Sequence, residues 1–201
     1  MRRTKAVLAV AAIALTPVLL TTTAAFAAEP VGAPTACQAP TDTFVVTTPV
    51  DEMSDDDVRI TILRIIGDPS TGYEVEAAAQ EALNGTVEDQ RNFLTTDRWP
   101  ARAEDDRFAV LRTLYFANVY NDRGVSTAVQ QALNDGTPTV LRAFLETGCR
   151  IAQFEDDRFA ILRMLADPTT TAAVRAAAQQ ALHEGTPEAA RYFLEHGQFE
   201  V

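Results

Sequence analysis

The chain has 201 residues, 28 acidic against 17 basic side chains and a formal net charge of −11. This length suits one domain with a sizeable core. A chain this acidic repels nucleic acid and anionic lipid headgroups, so we expect neither as a partner. The same charge keeps an exported protein soluble, which is a sufficient reason for most of it.

Residues 1–27 have the features of a signal peptide. Residues 6–20 are almost wholly apolar, and Ala25-Phe26-Ala27 places small residues where signal peptidase reads. The apolar run is too short for a spanning helix. We expect Sec export, with the twin-arginine route as the alternative, cleavage after Ala27 and a secreted, extracellular protein without a membrane partner. The segment removed contains the three basic residues Arg2, Arg3 and Lys5, which leaves 14 arginines against 28 acids, a net charge of −14.

The next segment, residues 28–53, is rich in Pro, Thr and Ala and lacks helical periodicity. Such a composition predicts an extended tail. Phe44-Val45-Val46 is its one candidate for a short strand.

From residue 54 onward the chain repeats itself with a period of about fifty residues. Residues 54–103, 104–153 and 154–201 each contain an acidic cluster, an alanine-rich stretch, a Gly-Thr turn and a Phe-Leu pair in that order. A fixed period in this range is typical of stacked supersecondary units. Because a single unit cannot bury its own apolar stripe, we expect three copies to share one core.

Each copy is predicted to form three short helices, about nine in all. The first begins at an acidic cluster that caps it, and an Asp-Pro pair begins the next segment in two copies. The clusters and pairs are Asp55 to Asp57, Glu104 to Asp106, Glu155 to Asp157, Asp68-Pro69 and Asp167-Pro168.

The second helix has the clearest apolar pattern. Val75, Ala78, Ala79, Ala82 and Leu83 fall at helical spacing, and the other copies repeat this stripe, which predicts a packed face. A glycine in the left-handed conformation should end each second helix, and the threonine that follows should cap the third. These pairs are Gly85-Thr86, Gly136-Thr137 and Gly185-Thr186. The third helix carries the Phe-Leu pair inward and should end near Gly148 or Gly197.

These residues resemble the ALF repeat, which is named for its alanine-rich stretch, its Leu and its Phe and is found in secreted bacterial proteins. The resemblance covers about residues 54–197. It implies an all-α array of three tandem helical repeats, and no catalytic or binding residue can be carried over from it. The first copy departs from the pattern by lacking one residue before Gly85.

Two cysteines, Cys37 and Cys149, remain after export. In an oxidising compartment such a pair most simply forms a disulfide, which would tie the tail to the second repeat. Alternatively, Cys37 could be a lipoprotein cysteine, because Thr35-Ala36 precede it. Against this, Pro34 stands where such signals usually have Leu, and the apolar run ends too far upstream.

Catalytic chemistry has few candidates. The histidines, His183 and His196, both lie in the third copy, where the other copies have Asn or Thr. Such interchange is typical of exposed helix ends, and no nucleophile–base pair can be assembled. We expect no catalytic residue, no cofactor and no enzymatic activity.

The acidic and basic side chains have structural and functional interpretations. Capping explains the acidic clusters, with a weak calcium site as the alternative. Two series of repeated arginines could bind acidic partners, but ion pairs to the acidic clusters within each repeat are favoured. The calcium candidates are Asp105, Asp106, Asp156 and Asp157, and the arginines are Arg64, Arg112, Arg163, Arg91, Arg142 and Arg191.

The second copy has aromatic residues that the others lack. Its first loop is predicted to be two residues longer and to carry Tyr115, Phe116 and Tyr120, and Trp99 lies in the connection before it. These aromatics either seal the joint between copies or form an exposed interaction patch.

The function that we expect is a monomeric, non-enzymatic protein-interaction module with an unknown protein partner. A calcium- or small-ligand-binding protein and a spacer or delivery segment are the alternatives.

Overall fold

The computed structural model describes residues 36–201; the predicted signal peptide, its predicted cleavage site and residues 28–35 lie outside the described residues. Within 36–201 the chain forms nine α-helices and no strand, so the all-α fold is confirmed, and Phe44–Val46 is extended but unpaired with any strand. The helices are α1 (Asp55–Ile66), α2 (Tyr73–Asn84), α3 (Val87–Asn92), α4 (Arg98–Tyr120), α5 (Arg123–Asp135), α6 (Pro138–Ala143), α7 (Cys149–Ala166), α8 (Ala172–Glu184) and α9 (Pro187–Tyr192).

The helices stack as three consecutive triplets. The second helix of one repeat packs against the first helix of the next, so that α2 contacts α4 and α5 contacts α7. The third helices α3, α6 and α9 pack on the first and second helices of their own repeats. None of the helices in residues 36–201 is long and apolar enough to cross a membrane.

Each third helix continues into a π-helical turn that begins at the Phe-Leu pair. The turns are Phe93–Asp97, Phe144–Gly148 and Phe193–Gly197. Both side chains of every Phe-Leu pair are buried, as expected. The first two turns lead directly into α4 and α7, so the helix continues past Gly148 instead of ending there, whereas the third turn ends at Gly197 as predicted.

This continuity also changes where the first helices begin. Helix α1 starts as predicted, because Ser54 accepts a hydrogen bond from the backbone N–H of Asp57 and three acids occupy the first turn. In contrast, α4 and α7 start at Arg98 and Cys149, well before their acidic clusters. The clusters therefore lie inside these helices and cannot cap them.

The loops after the first helices differ from prediction as well. Asp68 and Asp167 stabilise turns, accepting hydrogen bonds from the backbone N–H and hydroxyl of Ser70 and Thr169, and do not begin a helix. The second copy has no such proline, so α4 continues to Tyr120 and ends at Asn121, whose φ is +62°. The predicted long loop is an extra stretch of helix.

The turn after each second helix forms largely as predicted. Gly136 and Gly185 are left-handed, with φ of +69° and +66°. Gly85 instead has φ of −90°. It lies in the first copy, which lacks one residue before this glycine. All three threonines cap the helix that follows them through their hydroxyl oxygens.

The apolar interior is divided into three clusters, one for each repeat, instead of one shared core. The stripe of α2 is central to the first, with Val75 and Ala79 fully buried among Ile62, Ile65 and Phe93. The second and third repeats have their own clusters around α5 and α8. Within residues 36–201 the clusters reach the first helix of the next repeat only at Ala101 of α4 and at Cys149 and Ala152 of α7.

The tail lies against the array from Ala36 to the short 3-10 helix Val50–Glu52. The predicted disulfide between Cys37 and Cys149 is present, with Cα atoms 5.7 Å apart, and it fastens the tail to the start of α7. The tail thus runs back from the joint of repeats two and three towards α1.

Replacing both cysteines by alanine should destabilise the fold. The bridge closes a sequence separation of 112 residues, and loss of the loop constraint on the unfolded chain should cost about 4 to 5 kcal/mol of unfolding free energy. Urea unfolding of the mature protein measures this. Reduction of the disulfide in the unsubstituted protein is the matched control. A decrease in unfolding free energy below about 1 kcal/mol in both proteins would contradict the prediction.

Candidate interaction surfaces

The acidic clusters of the second and third repeats cap the preceding repeat. Asp105 on α4 accepts hydrogen bonds from the backbone N–H groups of Glu74 and Val75 at the start of α2, at 2.9 and 3.0 Å. Asp156 on α7 does the same for Gly124 and Val125 of α5, both at 3.0 Å. A carboxylate at a helix N-terminus satisfies free amides and complements the helix dipole. These acids therefore cap the second helix of the preceding repeat, and the prediction that they cap the first helix of their own repeat is wrong.

Neighbouring residues differ according to whether a carboxylate from the next repeat caps the helix. Gly72 precedes α2, and a β-carbon on it would lie 2.2 Å from Cγ of Asp105, so only glycine leaves room. In the third repeat Thr171 caps α8 by accepting a hydrogen bond from the backbone N–H of Val174. Asp57 occupies the position of Asp105 in the first repeat, is exposed and pairs with Ser54.

The other acid of each internal cluster pairs with an arginine of its own repeat. Asp106 and Arg142 approach to 2.9 Å, and Asp157 and Arg191 to 2.6 Å. In the first repeat Arg91 pairs with Asp55 at 2.9 Å. Ion pairs within each repeat thus form for this arginine series. In the other series, Arg64, Arg112 and Arg163 make no ion pair with residues 36–201, and Arg112 and Arg163 lie over Phe rings instead.

Burial governs the titration of these carboxyls. It raises the pKa of Asp157 to about 6, against the opposing effect of the Arg191 guanidinium and a hydrogen bond from Gln153. Burial likewise raises the pKa of Asp106, opposed by the hydrogen bond from Thr41 and the charge of Arg142. These groups bind a proton more readily in the folded chain than in the unfolded one.

The calcium candidates are occupied by these contacts. Asp105 and Asp156 accept hydrogen bonds from backbone amides, and Asp157 accepts one from Arg191. Asp106 accepts hydrogen bonds from Thr41 and forms an ion pair with Arg142. Among residues 36–201 no group of three or more acidic, His or Cys side chains is arranged to hold a metal ion. His183 is exposed near the end of α8, and His196 packs its ring 5.3 Å from that of Tyr192.

The aromatics of the second repeat do not form one patch. Trp99 lies in the first turn of α4 and Tyr115 sixteen residues later, about 24 Å along the helix axis. Phe116 and Tyr120 stack on each other, 5.8 Å between centroids, and pack on the apolar cluster of their own repeat. Trp99 and Tyr115 are the more exposed pair.

A different apolar surface recurs in all three repeats, and sequence reasoning did not find it. The outer faces of the first helices expose large apolar side chains at equivalent positions, with Phe108 at 64 % exposure. Within 59–64, 107–119 and 158–163 every charged side chain is an arginine. We call this surface the first-helix ridge; it comprises Ile60, Leu63, Phe108, Leu111, Tyr115, Val119, Phe159 and Leu162.

The tail is anchored at equivalent positions of two repeats, five residues after the Phe of each π-turn. Arg98 holds buried Asp42 through two hydrogen bonds of 2.7 and 2.5 Å and donates to the carbonyl of Phe44. At the equivalent position of the next repeat, Cys149 forms the disulfide with Cys37. Asp42 has φ of +46°, a strained conformation that this pairing maintains. The acid–base pair is separated by 56 residues and carries no local sequence signal.

A family model described as short repeats of unknown function, the ALF repeat, matches residues 59–98, 123–152 and 158–200. These segments make up more than half of the chain. The chain belongs to the ALF repeat family. Comparison with curated proteins and with solved structures gives no match. Residues 99–122, which include Asp105, Phe108 and Tyr115, lie between the matched segments of the ALF repeats.

The cap between repeats can be tested with a matched pair of substitutions. Asp105→Ala should lower the free energy of unfolding by about 2 kcal/mol, because it leaves the amides of Glu74 and Val75 without acceptors. Asp57→Ala removes the equivalent exposed residue and should cost less than half as much. Urea unfolding measures both, and equal losses would contradict an inter-repeat role.

Stability should also depend on the protonation of Asp157. Its pKa is about 6 when folded and close to 3.9 when unfolded, so the folded state binds the extra proton between pH 4 and 6 and this group's stabilisation falls as pH rises through that window. Lowering the pH from 7 to 5 should stabilise the protein by about 1 kcal/mol through this group.

The measurement is the unfolding free energy at both pH values for the original protein and for Asp157→Asn. The substituted protein should lose this part of the gain, and Glu88→Gln on the exposed surface of α3 controls for the lost charge. An unchanged pH dependence in Asp157→Asn would show that another group is responsible.

Proposed function

We propose that this ALF-repeat protein is a secreted, non-enzymatic protein-interaction module whose contact surface is the first-helix ridge. The observation that carries the proposal is the repeated exposure of large apolar side chains on the ridge. An isolated exposed apolar residue needs no explanation, whereas a set repeated at equivalent positions is typical of a binding surface. The signal-peptide features of residues 1–27 support an extracellular location.

The charges beside the ridge indicate the chemistry of the partner. Arg64 and Arg112 are exposed and make no ion pair within residues 36–201, and the mature chain is otherwise strongly acidic. Guanidinium groups next to aromatic rings bind carboxylates while the rings cover apolar groups. The partner that fits is a protein segment with alternating apolar and acidic side chains.

Other functions find less support in the described residues. The acids that would hold calcium already accept hydrogen bonds from backbone amides, Thr41 or Arg191, and Asp106 is also paired with the charge of Arg142. Neither histidine lies in a cluster with a nucleophile.

The test is chemical crosslinking in culture supernatant with a ridge variant, Phe108→Ala with Tyr115→Ala. Both side chains are largely exposed, so the fold should persist. We expect recovery of a crosslinked partner to fall at least fivefold, and also to fall in 0.5 M salt because arginines contribute.

The matched control is Tyr192→Ala with Phe199→Ala, exposed aromatics outside the ridge, and it should recover the partner as the original protein does. Equal recovery by the ridge and control variants would reject the ridge as the contact surface.

A further inference from the structure

A cleft of about 710 Å³ lies on another part of the molecule, between the tail and the start of α4. One wall is the tail from Asp42 to Val50. The other contains Leu94, Trp99 and the three arginines Arg98, Arg102 and Arg142, with Glu146 also contributing. The ridge includes none of these arginines; Arg98 and Arg142 lie within the matched segments of the ALF repeats, and Arg102 lies outside them.

The three arginines differ in how many of their N–H groups have an acceptor. Arg98 is saturated on one side by Asp42 and the carbonyl of Phe44. Arg142 approaches Asp106 with Nε and donates from one terminal nitrogen to the carbonyl of Thr41. Its other terminal nitrogen is buried and has no acceptor. A buried donor without an acceptor costs free energy that a suitable ligand would recover.

Arg102 has no acceptor at all within residues 36–201. Its guanidinium lies 4.7 Å above the ring of Trp99, and it makes no hydrogen bond or ion pair there. Burial and the neighbouring Arg142 guanidinium lower the pKa of Arg102. The two acids nearest to these arginines, Asp42 and Asp106, are already bonded, and Glu146 is exposed.

We propose that this cleft binds a single carboxylate carried by an apolar molecule. The fork of Arg102 and the free terminal nitrogen of Arg142 supply the donors, because planar guanidinium groups match carboxylate geometry. Trp99 and Leu94 supply an apolar wall for the rest of the ligand. Three carboxylates, Asp42, Asp106 and the exposed Glu146, balance the three arginines, so a bound carboxylate has to compete with Glu146. The C-terminal carboxylate of a peptide and a free carboxylic acid share this chemistry.

The site contains its own reporter, because Trp99 is the only tryptophan of the chain. The mature protein is titrated with acetyl-Gly-Leu as the free acid, with the same dipeptide as its amide, and with N-acetyl-leucine, while Trp99 emission is followed. Each titration is repeated by calorimetry, which detects binding even where the emission of Trp99 does not change. We expect saturable binding of the free acids and at least tenfold weaker binding of the amide. Tighter binding of the dipeptide acid than of N-acetyl-leucine would identify a peptide terminus as the source, and the reverse a small carboxylic acid.

Three substitutions complete the design, each checked for an unchanged thermal unfolding curve. Arg102→Gln should weaken binding at least tenfold. Arg107→Gln, an exposed arginine on the same helix, should leave it unchanged, and Glu146→Gln should strengthen it a fewfold by removing a competing carboxylate. The proposal would be overturned by equal affinity for acid and amide, by no saturable binding at millimolar concentration, or by a preference for sulfate. It would also be overturned if Arg102→Gln bound the acids as the original protein does. Crosslinking at the ridge is a separate readout, so failure of one proposal leaves the other testable.

Discussion

The array depends on one carboxylate at each joint between repeats. Asp105 and Asp156 are placed on the first helix of one repeat and complete the second helix of the repeat before it. Because the apolar residues are divided into three clusters, these caps connect units that largely bury their own interiors. A carboxylate bonded to two amides fixes both position and direction, which contact between alanine-rich surfaces alone would not do.

Periodic features of the fold could be predicted from the sequence. The alanine stripe of each second helix, the Gly-Thr turns and the inward Phe-Leu pairs are all properties of neighbouring residues, and the structure confirms them apart from the conformation of Gly85. The starts of α4 and α7 were not predicted correctly, because an acidic cluster has the same local appearance whether it caps its own helix or lies inside a longer one. The π-turns that carry each third helix into the next repeat remove the expected boundary.

The surfaces of interest were harder to find because they depend on distance in space. Trp99 and Tyr115 are close in the sequence pattern of the second repeat, yet they lie far apart on α4. Arg98 has no neighbour in sequence that marks it as the partner of Asp42. The first-helix ridge resembles a core stripe in the sequence, since its residues have helical spacing, and only packing shows which face of each helix remains in solvent. The cleft near Trp99 is formed largely by the tail, whose composition predicts no fixed position.

The direction of the caps has a consequence for how the chain acquires its structure. Each of the first two repeats obtains the acceptor for its second helix from residues that follow it, and the third supplies its own through Thr171. During synthesis from the N-terminus, α2 emerges before Asp105 and α5 before Asp156. Capping of the second helices therefore proceeds against the direction of emergence. The third repeat caps its own second helix, whereas each of the first two is capped only after the following repeat has been made. Truncation from the two ends is accordingly unequal, because losing the third repeat uncaps α5, whereas losing the first leaves both remaining caps in place.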